Sequence, residues 1–496
     1  MKGGEFLIKE QESKDIFIPE EFTEEQKMMA SATTEFVERE LDPHREKFEN
    51  KEYKLTEDCM KKAGELGLLG ISIPVDYGGM GMPFNTSILI CDKISGANGS
   101  FSTAFGAHTG IGTLPILLYG DNAQRKKYLP KLATGEWMGC YCLTEPGAGS
   151  DANSGKTKAV LTKEGKHYLI TGQKMWISNA GFADIFIVFA RIEDDKNITS
   201  FILQKGMDGI TLGEEEHKLG LHSSSTRQVF FTQVKVPIEN MLGGRENGFK
   251  IAMNALNVGR IKLSAAVLDA CRRVIKNSIN YSNERIQFGV PISSFGAIKH
   301  KLADMAVKTY AIESATYRAG NEIEKNIKRL ESEGKNHQEA HLKGVEEYAI
   351  ECSIVKVLGS ETIQSCSDEG IQIFGGMGYS ADTPMEAAYR DARIARIYEG
   401  TNEINRMLIV GMILKKAMKG ELDIMTPAIK IASELMSIPS FDTPDENNLF
   451  SLEKEHLKKL KKVILMTAGK AAQHYAMEIE KEQEILINLA NMIIDI

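Results

Sequence analysis

The sequence lacks the features that mark several large classes of protein. Its seven cysteines are an odd set without a disulfide framework, which indicates free thiols and a cytoplasmic location. No apolar run approaches the roughly 20 residues that a membrane-spanning helix needs. The first 15 residues contain neither an apolar signal core nor an Arg-rich transit pattern, so we expect no export. Acidic residues number 68 against 60 basic ones, and the resulting net charge of −8 argues against a nucleic-acid partner.

Motifs that would support hydrolytic or metal-dependent chemistry are also missing. The sequence has no Gly-x-Ser-x-Gly elbow and no phosphate-binding loop that ends in Gly-Lys-Ser/Thr. Cys140 and Cys142 have no second Cys or His cluster nearby, and we expect their side chains to point to opposite faces of a strand. His337 and His341 stand four apart, but Glu339 is not where a zinc protease requires it, so we expect solvated histidines. The sequence therefore predicts no metal site.

Composition and pattern indicate a globular protein of several domains. Hydrophobic residues make up 42% and charged residues 26% of the 496 residues, and roughly 150 residues per domain gives about three domains. Helical patterns fill 1–139, short β-rich runs fill 140–240, and helical periodicity returns over 241–420. Residues 421–496 read as a further helical extension with a linker at 437–448; the last helix has no stop signal, so we expect the chain to continue. The predicted fold is α+β and multidomain: an N-terminal helical domain, a middle antiparallel β domain, a C-terminal helical domain and an additional C-terminal helical extension.

Two segments at the predicted β domain suit the binding of a flat, phosphorylated ligand. In the segment 141–151, Gly147 and Gly149 allow close approach of the backbone, and Thr144 offers a hydroxyl donor. In the segment 174–179, the indole of Trp176 can stack on a flat ring. Taken singly, a Pro-Gly turn and a core tryptophan explain the two segments as well.

Two further segments suit the binding of phosphate. Arg285, in the segment 285–289, presents a planar fork that matches two pyrophosphate oxygens. The segment 372–379 contains three glycines whose backbone N–H groups can cradle a phosphate. A surface helix end and a helix-terminating turn remain alternatives when each segment is considered alone.

A fifth segment, 390–404, places one carboxylate between two helix ends. One amphipathic helix ends near Tyr398, Gly400 permits a sharp turn, and Thr401 or Asn402 caps the next helix. Glu399 therefore lies in the turn rather than on a helix face. Beside an aromatic ring such a carboxylate can be desolvated, which raises its pKa. An exposed loop glutamate is the alternative.

In their order and spacing, these five segments resemble the acyl-CoA dehydrogenase flavoprotein family, and the resemblance runs from about Pro19 to Leu414. It implies an N-terminal helical domain, a middle β domain and a C-terminal four-helix domain. FAD would lie between the β domain and the C-terminal helices and across a dimer interface. The very-long-chain subgroup is the most similar one, because of Asn257–Arg260, Ser294–Ile298 and the helices past residue 420.

The resemblance assigns roles residue by residue. It implies that FAD contacts a set of side chains and backbone positions, which are Tyr141, Leu143, Thr144, Gly149, Ser150, Trp176, Ser178, Arg285, Gln287, Phe288, Phe295, Gln372, Gly375, Gly376, Thr401 and Glu403. The segments around Arg285 and Gln372 would reach the cofactor of a partner subunit. The implied substrate-binding residues are Ser150, Asn257, Arg260, Glu399 and Gly400. Some members carry the catalytic base just before an Arg on the long helix, where this chain has Gly259-Arg260, so Glu399 is the only candidate base.

The implied reaction is α,β-dehydrogenation of a saturated, long-chain fatty acyl-CoA to the trans-2-enoyl-CoA. Glu399 would take the α-proton while the β-hydride passes to flavin N5, and the Glu399 N–H and a ribityl hydroxyl would stabilise the thioester oxygen. Gly106 and Gly110 share a helix face, and they either deepen an acyl channel or permit close helix packing.

The expected partners are acyl-CoA, an electron-transfer flavoprotein as electron acceptor, and a second copy of the chain in a homodimer. The subgroup also implies peripheral membrane association as an alternative to a purely cytoplasmic location. An acyl-CoA oxidase and a scaffold or assembly factor with this fold are the functional alternatives.

Overall fold

The computed structural model describes residues 1–434 and 449–496, so the predicted linker at 437–448 lies outside the described residues. The predicted order of helices, strands, helices and further helices is confirmed. The domain boundaries at 139, 240 and 420 stay a prediction.

Helices precede the first strand and form the N-terminal part of the molecule. Two of them begin with reciprocal side-chain caps, Thr23 with Gln26 and Asp121 with Gln124, which satisfy the free N–H groups of a first turn. The helices are α1 Glu24–Phe36, α2 Arg45–Glu49, α3 Tyr53–Glu65, α4 Phe84–Ser95, α5 Gly99–Gly106, α6 Leu114–Tyr119 and α7 Asn122–Thr134.

The middle part is one eight-stranded sheet with the order β6-β7-β3-β2-β4-β5-β8, and β1 pairs with β4. The strands are β1 Gly139–Cys142, β2 Lys158–Leu161, β3 His167–Ser178, β4 Ile185–Ile192, β5 Thr199–Gln204, β6 Ile210–Glu215, β7 Thr226–Pro237 and β8 Met241–Leu242. Most pairs are antiparallel, as predicted, but β1 and β2 run parallel to β4. Both parallel pairs join strands separated by another strand, because a tight hairpin cannot connect parallel strands.

The prediction that Cys140 and Cys142 point to opposite faces is wrong. Both side chains are buried and their Sγ atoms lie 4.0 Å apart, since residues two apart on a strand share a face. The expectation of solvated histidines is wrong for His341, which is buried and packs against Phe84. Within the described ranges, no group of three or more His, Cys, Asp or Glu side chains could hold a metal ion.

A bundle of long helices follows the sheet. The buried helix α12 packs against α8, α9, α10 and α15. The elements are α8 Gly248–Ala265, α9 Leu268–Glu284, β9 Ile286–Gln287, β10 Val290–Pro291, α10 Gly296–Ser332, α11 His337–Glu347, α12 Ala349–Phe374, α13 Gly376–Tyr379, α14 Met385–Ala392 and α15 Asn402–Met418.

The extension contains α16 Met425–Glu434, α17 Ser451–Tyr475 and α18 Gln483–Ile494. Helix α18 packs on α15, and both share an apolar cluster with Leu7 of the N-terminal segment. Of the helices that the structure describes, none is long and apolar enough to cross a membrane.

Candidate active site

A cavity of about 390 Å³ lies between the helices of the N-terminal part and those of the C-terminal bundle. One wall comes from α8 and α9, and its lining includes Gly259, Leu263, Ala266, Ala270 and Val274. The facing wall comes from α4, α5 and the turn that follows, and its lining includes Ile94, Gly99, Phe105, Gly106 and Gly110. Small and apolar side chains therefore dominate both walls, which suits an apolar ligand.

Glu399 lies at this cavity in a turn of unusual backbone conformation. The turn connects the short helical segment Arg393–Arg396 to α15, as the sequence predicts. Glu399 has φ 57° and Gly400 has φ 82°, and a non-glycine residue in this left-handed region is strained. The Thr401 hydroxyl accepts the Ile404 N–H at 3.2 Å and so caps α15. The strain indicates that the surrounding contacts hold the glutamate in place.

Lys356 of α12 supplies part of that support. Its Nζ donates to the Gly400 carbonyl at 2.7 Å and to Asn402 Oδ1 at 2.8 Å. Asn405 Nδ2 donates to the same carbonyl at 2.8 Å. Lys356 was not predicted from the sequence, although a single lysine within the otherwise apolar run 354–358 is a signal that could have revealed it.

Arg260 and Asn257 also support the turn. Arg260 Nη1 donates to Asn257 Oδ1 at 2.7 Å, and its Nε donates to the Glu399 carbonyl at 3.3 Å. Both side chains are buried, and neither lines the cavity. The structure therefore shows Arg260 supporting the Glu399 backbone and Asn257 holding Arg260, and the contact of both residues with a substrate stays a prediction.

The carboxyl group of Glu399 is suited to proton transfer near neutral pH. Burial raises its pKa to about 7, against the opposing effect of Arg260 and Lys356. Its Oε2 has no hydrogen-bond partner among the described residues. A Cβ atom at Gly259 would lie 2.5 Å from that oxygen, so only glycine leaves room for the carboxylate. A base with this pKa is both sufficiently deprotonated and sufficiently basic at pH 7.

Trp176 and Ser178 lie at the C-terminal end of β3, near the cavity. The pairing of β3 with β7 shifts register between Lys174 and Ile177, and Trp176 takes φ 60° within this bulge. Because of the bulge, the indole leaves the sheet, and 52% of the residue is exposed. Ser178 lines the cavity itself. The structure thus offers a flat aromatic face close to the Glu399 cavity.

A buried ion pair fixes the glycine-rich segment that follows β1. Lys174 Nζ contacts Glu145 Oε1 at 2.6 Å and donates to the Leu143 carbonyl at 3.1 Å. Glu145 Oε1 also accepts the Thr157 N–H at 3.1 Å. These contacts hold the exposed segment 146–150, in which Gly147 and Gly149 have no atom within 4 Å of an added Cβ. The sequence analysis did not identify this pair.

Tyr141 carries a hydroxyl without a partner. Its Oη is buried and has no hydrogen-bond partner among the described residues. Burial raises its pKa well above the usual range, and the Glu399 charge adds to that effect, so the two groups are neighbours. A buried polar atom without a partner points to a group that is bound in the functional state.

Seven of the predicted cofactor residues lie away from the cavity, around the β9–β10 hairpin and the end of α12. Phe288, on the turn between β9 and β10, is 94% exposed, and its ring contacts that of Phe295 at 6.1 Å. Tyr281 stacks on Phe374 at 4.1 Å, which brings this hairpin beside the end of α12. The predicted residues that are exposed here and do not line the cavity are Arg285, Gln287, Phe288, Phe295, Gln372, Gly375 and Gly376. Their assignment to a partner's cofactor stays a prediction.

The fold and the site together define an enzyme with a buried carboxyl group at an apolar cavity. Four family models match the chain. Those described as the acyl-CoA dehydrogenase N-terminal domain and middle domain match residues 23–136 and 140–234. Two models described as the acyl-CoA dehydrogenase C-terminal domain match residues 246–414 and 459–496.

Known proteins agree with these matches. The chain is 46% identical over 494 residues to a "Probable acyl-CoA dehydrogenase" of Bacillus subtilis, covering 99% of this chain and 82% of that protein. It is 39% identical over 400 residues to "Very long-chain specific acyl-CoA dehydrogenase, mitochondrial" of Macaca fascicularis, covering 79% of this chain and 58% of that protein. The chain belongs to the acyl-CoA dehydrogenase family.

Two solved structures are similar to this one. The acyl-CoA dehydrogenase of Bacillus anthracis, described as complexed with FAD, is 46% identical with a TM-score of 0.95, covering 100% of this chain and 84% of that chain. A structure described as the electron transferring flavoprotein of Acidaminococcus fermentans is 35% identical with a TM-score of 0.72, covering 80% of this chain and 100% of that chain.

Proposed function

We propose that this chain is an FAD-dependent dehydrogenase that converts saturated, long-chain fatty acyl-CoA thioesters to trans-2-enoyl-CoA in fatty acid β-oxidation. One observation carries the proposal: the strained Glu399 turn presents a carboxyl group with a pKa of about 7 at one end of an apolar cavity. A thioester whose acyl chain occupies the cavity would place its α-carbon near this base.

Glu399 would remove the α-proton of the thioester. That proton is only weakly acidic, so the reaction needs a strong local base and stabilisation of the developing enolate. Glu399 Oε2 has no competing hydrogen bond among the described residues, and burial raises the pKa of the carboxyl group. In the described ranges no acceptor lies within hydrogen-bonding distance of the Glu399 N–H, which is therefore free to donate to the thioester oxygen.

The residues around Trp176 fit a flavin. The half-exposed indole offers a stacking face, Ser178 and Thr144 offer hydroxyls, and the 146–150 backbone leaves room for a close ligand. Tyr141 adds a buried hydroxyl without a partner among the described residues. When bound, FAD would supply the oxidising power by accepting the hydride of the β-carbon. The Bacillus anthracis relative, which is described as complexed with FAD, supports this assignment.

The shape of the cavity supports a long acyl chain. An added Cβ at Gly106 or Gly110 would meet no atom within 4 Å, so both glycines border open space rather than a tight helix contact. The lining of α8 and α9 extends from Gly259 to Asn277, roughly 27 Å at 1.5 Å per residue. A very-long-chain relative at 39% identity agrees with this substrate class.

Three further assignments belong to the proposal. The exposed Phe288 cluster suits contact with a second copy of the chain in a homodimer. An electron-transfer flavoprotein would accept the electrons and so reoxidise the enzyme. Exposed Leu452, Leu457, Leu460 and Val463 on the lysine-rich α17 support a cytoplasmic enzyme that associates peripherally with membranes.

An anaerobic titration tests the proposal. The purified holoprotein is mixed with butyryl-, octanoyl-, palmitoyl- and stearoyl-CoA, and flavin absorbance is recorded without an acceptor. We expect bleaching that is strongest with the two longest chains. Absence of bleaching with every acyl-CoA would reject the proposed reaction. Oxygen uptake with and without an electron-transfer flavoprotein then distinguishes a dehydrogenase from an oxidase.

A further inference from the structure

The acyl cavity contains a lysine without a counter-charge. Lys262 lies on α8, three residues after Gly259, and lines the cavity with 7% of the residue exposed. Among the described residues, its Nζ forms no hydrogen bond and no ion pair with a carboxylate within 4.0 Å. Burying an unpaired ammonium group is costly, so a group of this kind indicates a ligand that pairs with it.

The groups around Lys262 do not supply a negative charge. Burial raises the pKa of the Cys91 thiol, so it is neutral at pH 7. Burial lowers the pKa of His341 to about 3, and the charges of His337 and Lys262 lower it further, so its imidazole is neutral too. We therefore expect the ligand in the cavity to supply the negative charge that pairs with Lys262.

Two other acids that line the cavity already pair with arginines. Asp42 pairs with Arg273 at 2.8 Å, and Glu49 pairs with Arg390 at 2.8 Å. Neither acid contacts Lys262 within 4.0 Å. These two acids therefore do not supply a counter-charge for Lys262.

A small side pocket adjoins the cavity at Lys262. It holds about 10 Å³, room for one oxygen-sized group, and Lys262 and Thr113 both line it. Thr113 is 2% exposed, and its Oγ1 has no hydrogen-bond partner among the described residues. Two buried donors without partners therefore face the same space, which is just large enough for one acceptor atom.

We propose that Lys262 and Thr113 form a subsite for a carboxylate at the far end of the acyl chain, so that the enzyme accepts ω-carboxyacyl-CoA thioesters. This inference rests on the proposed function. A carboxylate oxygen in the side pocket accepts from the Lys262 ammonium and the Thr113 hydroxyl, and it neutralises the buried charge. A neutral hydroxyl or carbonyl would leave that charge unpaired.

The position of Lys262 favours chains of short to medium length. Lys262 lies three positions after Gly259, which contacts the Glu399 carboxylate, and this step is about 4.5 Å along the helix axis. The carboxylate therefore belongs a few methylene groups beyond the reacting carbons. Unsubstituted long chains would lie against the methylene groups of the Lys262 side chain.

The test compares matched pairs of substrates. The holoenzyme is assayed with adipoyl-, suberoyl- and dodecanedioyl-CoA, each against the unsubstituted acyl-CoA of equal length, and binding is measured by calorimetry. We expect Lys262→Met to lower kcat/KM for the preferred ω-carboxyacyl-CoA by about 10- to 100-fold and to weaken its binding by a similar factor. Thr113→Val should lower both to a smaller extent. In Lys262→Met, the ratio of kcat/KM for the ω-carboxyacyl-CoA to kcat/KM for the unsubstituted acyl-CoA of equal length should fall by about the same factor.

Lys250→Met is the matched control, because Lys250 is an exposed lysine on the same helix. This variant should leave unchanged the ratio of kcat/KM for ω-carboxyacyl-CoA to kcat/KM for unsubstituted acyl-CoA at every chain length. The subsite would be overturned if the wild type and Lys262→Met had the same ratio of kcat/KM for ω-carboxyacyl-CoA to kcat/KM for unsubstituted acyl-CoA. It would also be overturned if calorimetry showed that both proteins bind ω-carboxyacyl-CoA equally well. If the wild type turned over no acyl-CoA at all, the proposed function would fail instead, and calorimetry would still decide whether Lys262 binds the carboxylate.

Discussion

Substitution of Gly259 by alanine should inactivate the enzyme without unfolding it. The new Cβ would lie 2.5 Å from Glu399 Oε2 and 2.9 Å from its Cδ, whereas ordinary van der Waals contact begins at 3.4 Å. The carboxylate must therefore move by about 0.9 Å, and a misplacement of about 1 Å lowers a catalytic rate by about 100-fold. We expect a loss of that size in the rate of flavin reduction.

Stability distinguishes this displacement from damage to the fold. Alanine is a better helix former than glycine by roughly 1 kcal/mol, and Gly259 lies inside α8, so the melting temperature should not fall because of backbone effects. Gly411→Ala is the matched control, because an added Cβ there meets no atom within 4 Å. Stopped-flow flavin reduction and thermal unfolding measure the two properties. A Gly259→Ala enzyme with the wild-type reduction rate would refute the placement of the carboxylate against α8.

The remaining predictions concern pH, positioning and chain length. Because burial raises the pKa of Glu399 to about 7 and the base must be deprotonated, the rate of flavin reduction should fall as pH drops below 7; a rate that is flat from pH 5 to 8 would contradict this. Lys356→Met removes a charge that lowers the pKa of Glu399, so the acid limb of the pH profile should move to higher pH. Lys356→Arg should return the limb to its wild-type position. If the limb does not move in Lys356→Met, the role of Lys356 is purely structural. Gly106→Leu should fill open space in the cavity and shift the kcat/KM optimum to shorter acyl chains. Unchanged activity across long and medium chains would show that Gly106 does not border the acyl chain.

Local sequence signals were sufficient for the elements and for the position of the base. Glu399 could be placed between two helix ends because Gly400 and Thr401 mark a turn and a cap, and the structure shows both. The alternation of β-rich runs and turns between 140 and 240 likewise predicted the sheet. These features depend on neighbours a few residues away, which a sequence pattern records.

Contacts between distant segments could not be predicted from local sequence patterns. Lys356 supports Gly400 across 44 residues, and Lys174 pairs with Glu145 across 29 residues, so no local pattern joins them. Arg260 contacts the Glu399 carbonyl across 139 residues and is itself held by Asn257, while the substrate-binding role of both residues stays a prediction. Exposed residues such as Phe288 need a second chain to define their role.

The central claim is that Glu399 removes the α-proton of a bound acyl-CoA. Glu399→Gln keeps the size of the side chain and removes only its basicity. The most direct measurement is anaerobic flavin absorbance of this variant, with FAD bound, after addition of palmitoyl-CoA. We expect the variant to bind the thioester while its flavin stays oxidised. Bleaching at the wild-type rate would show that Glu399 is not the base.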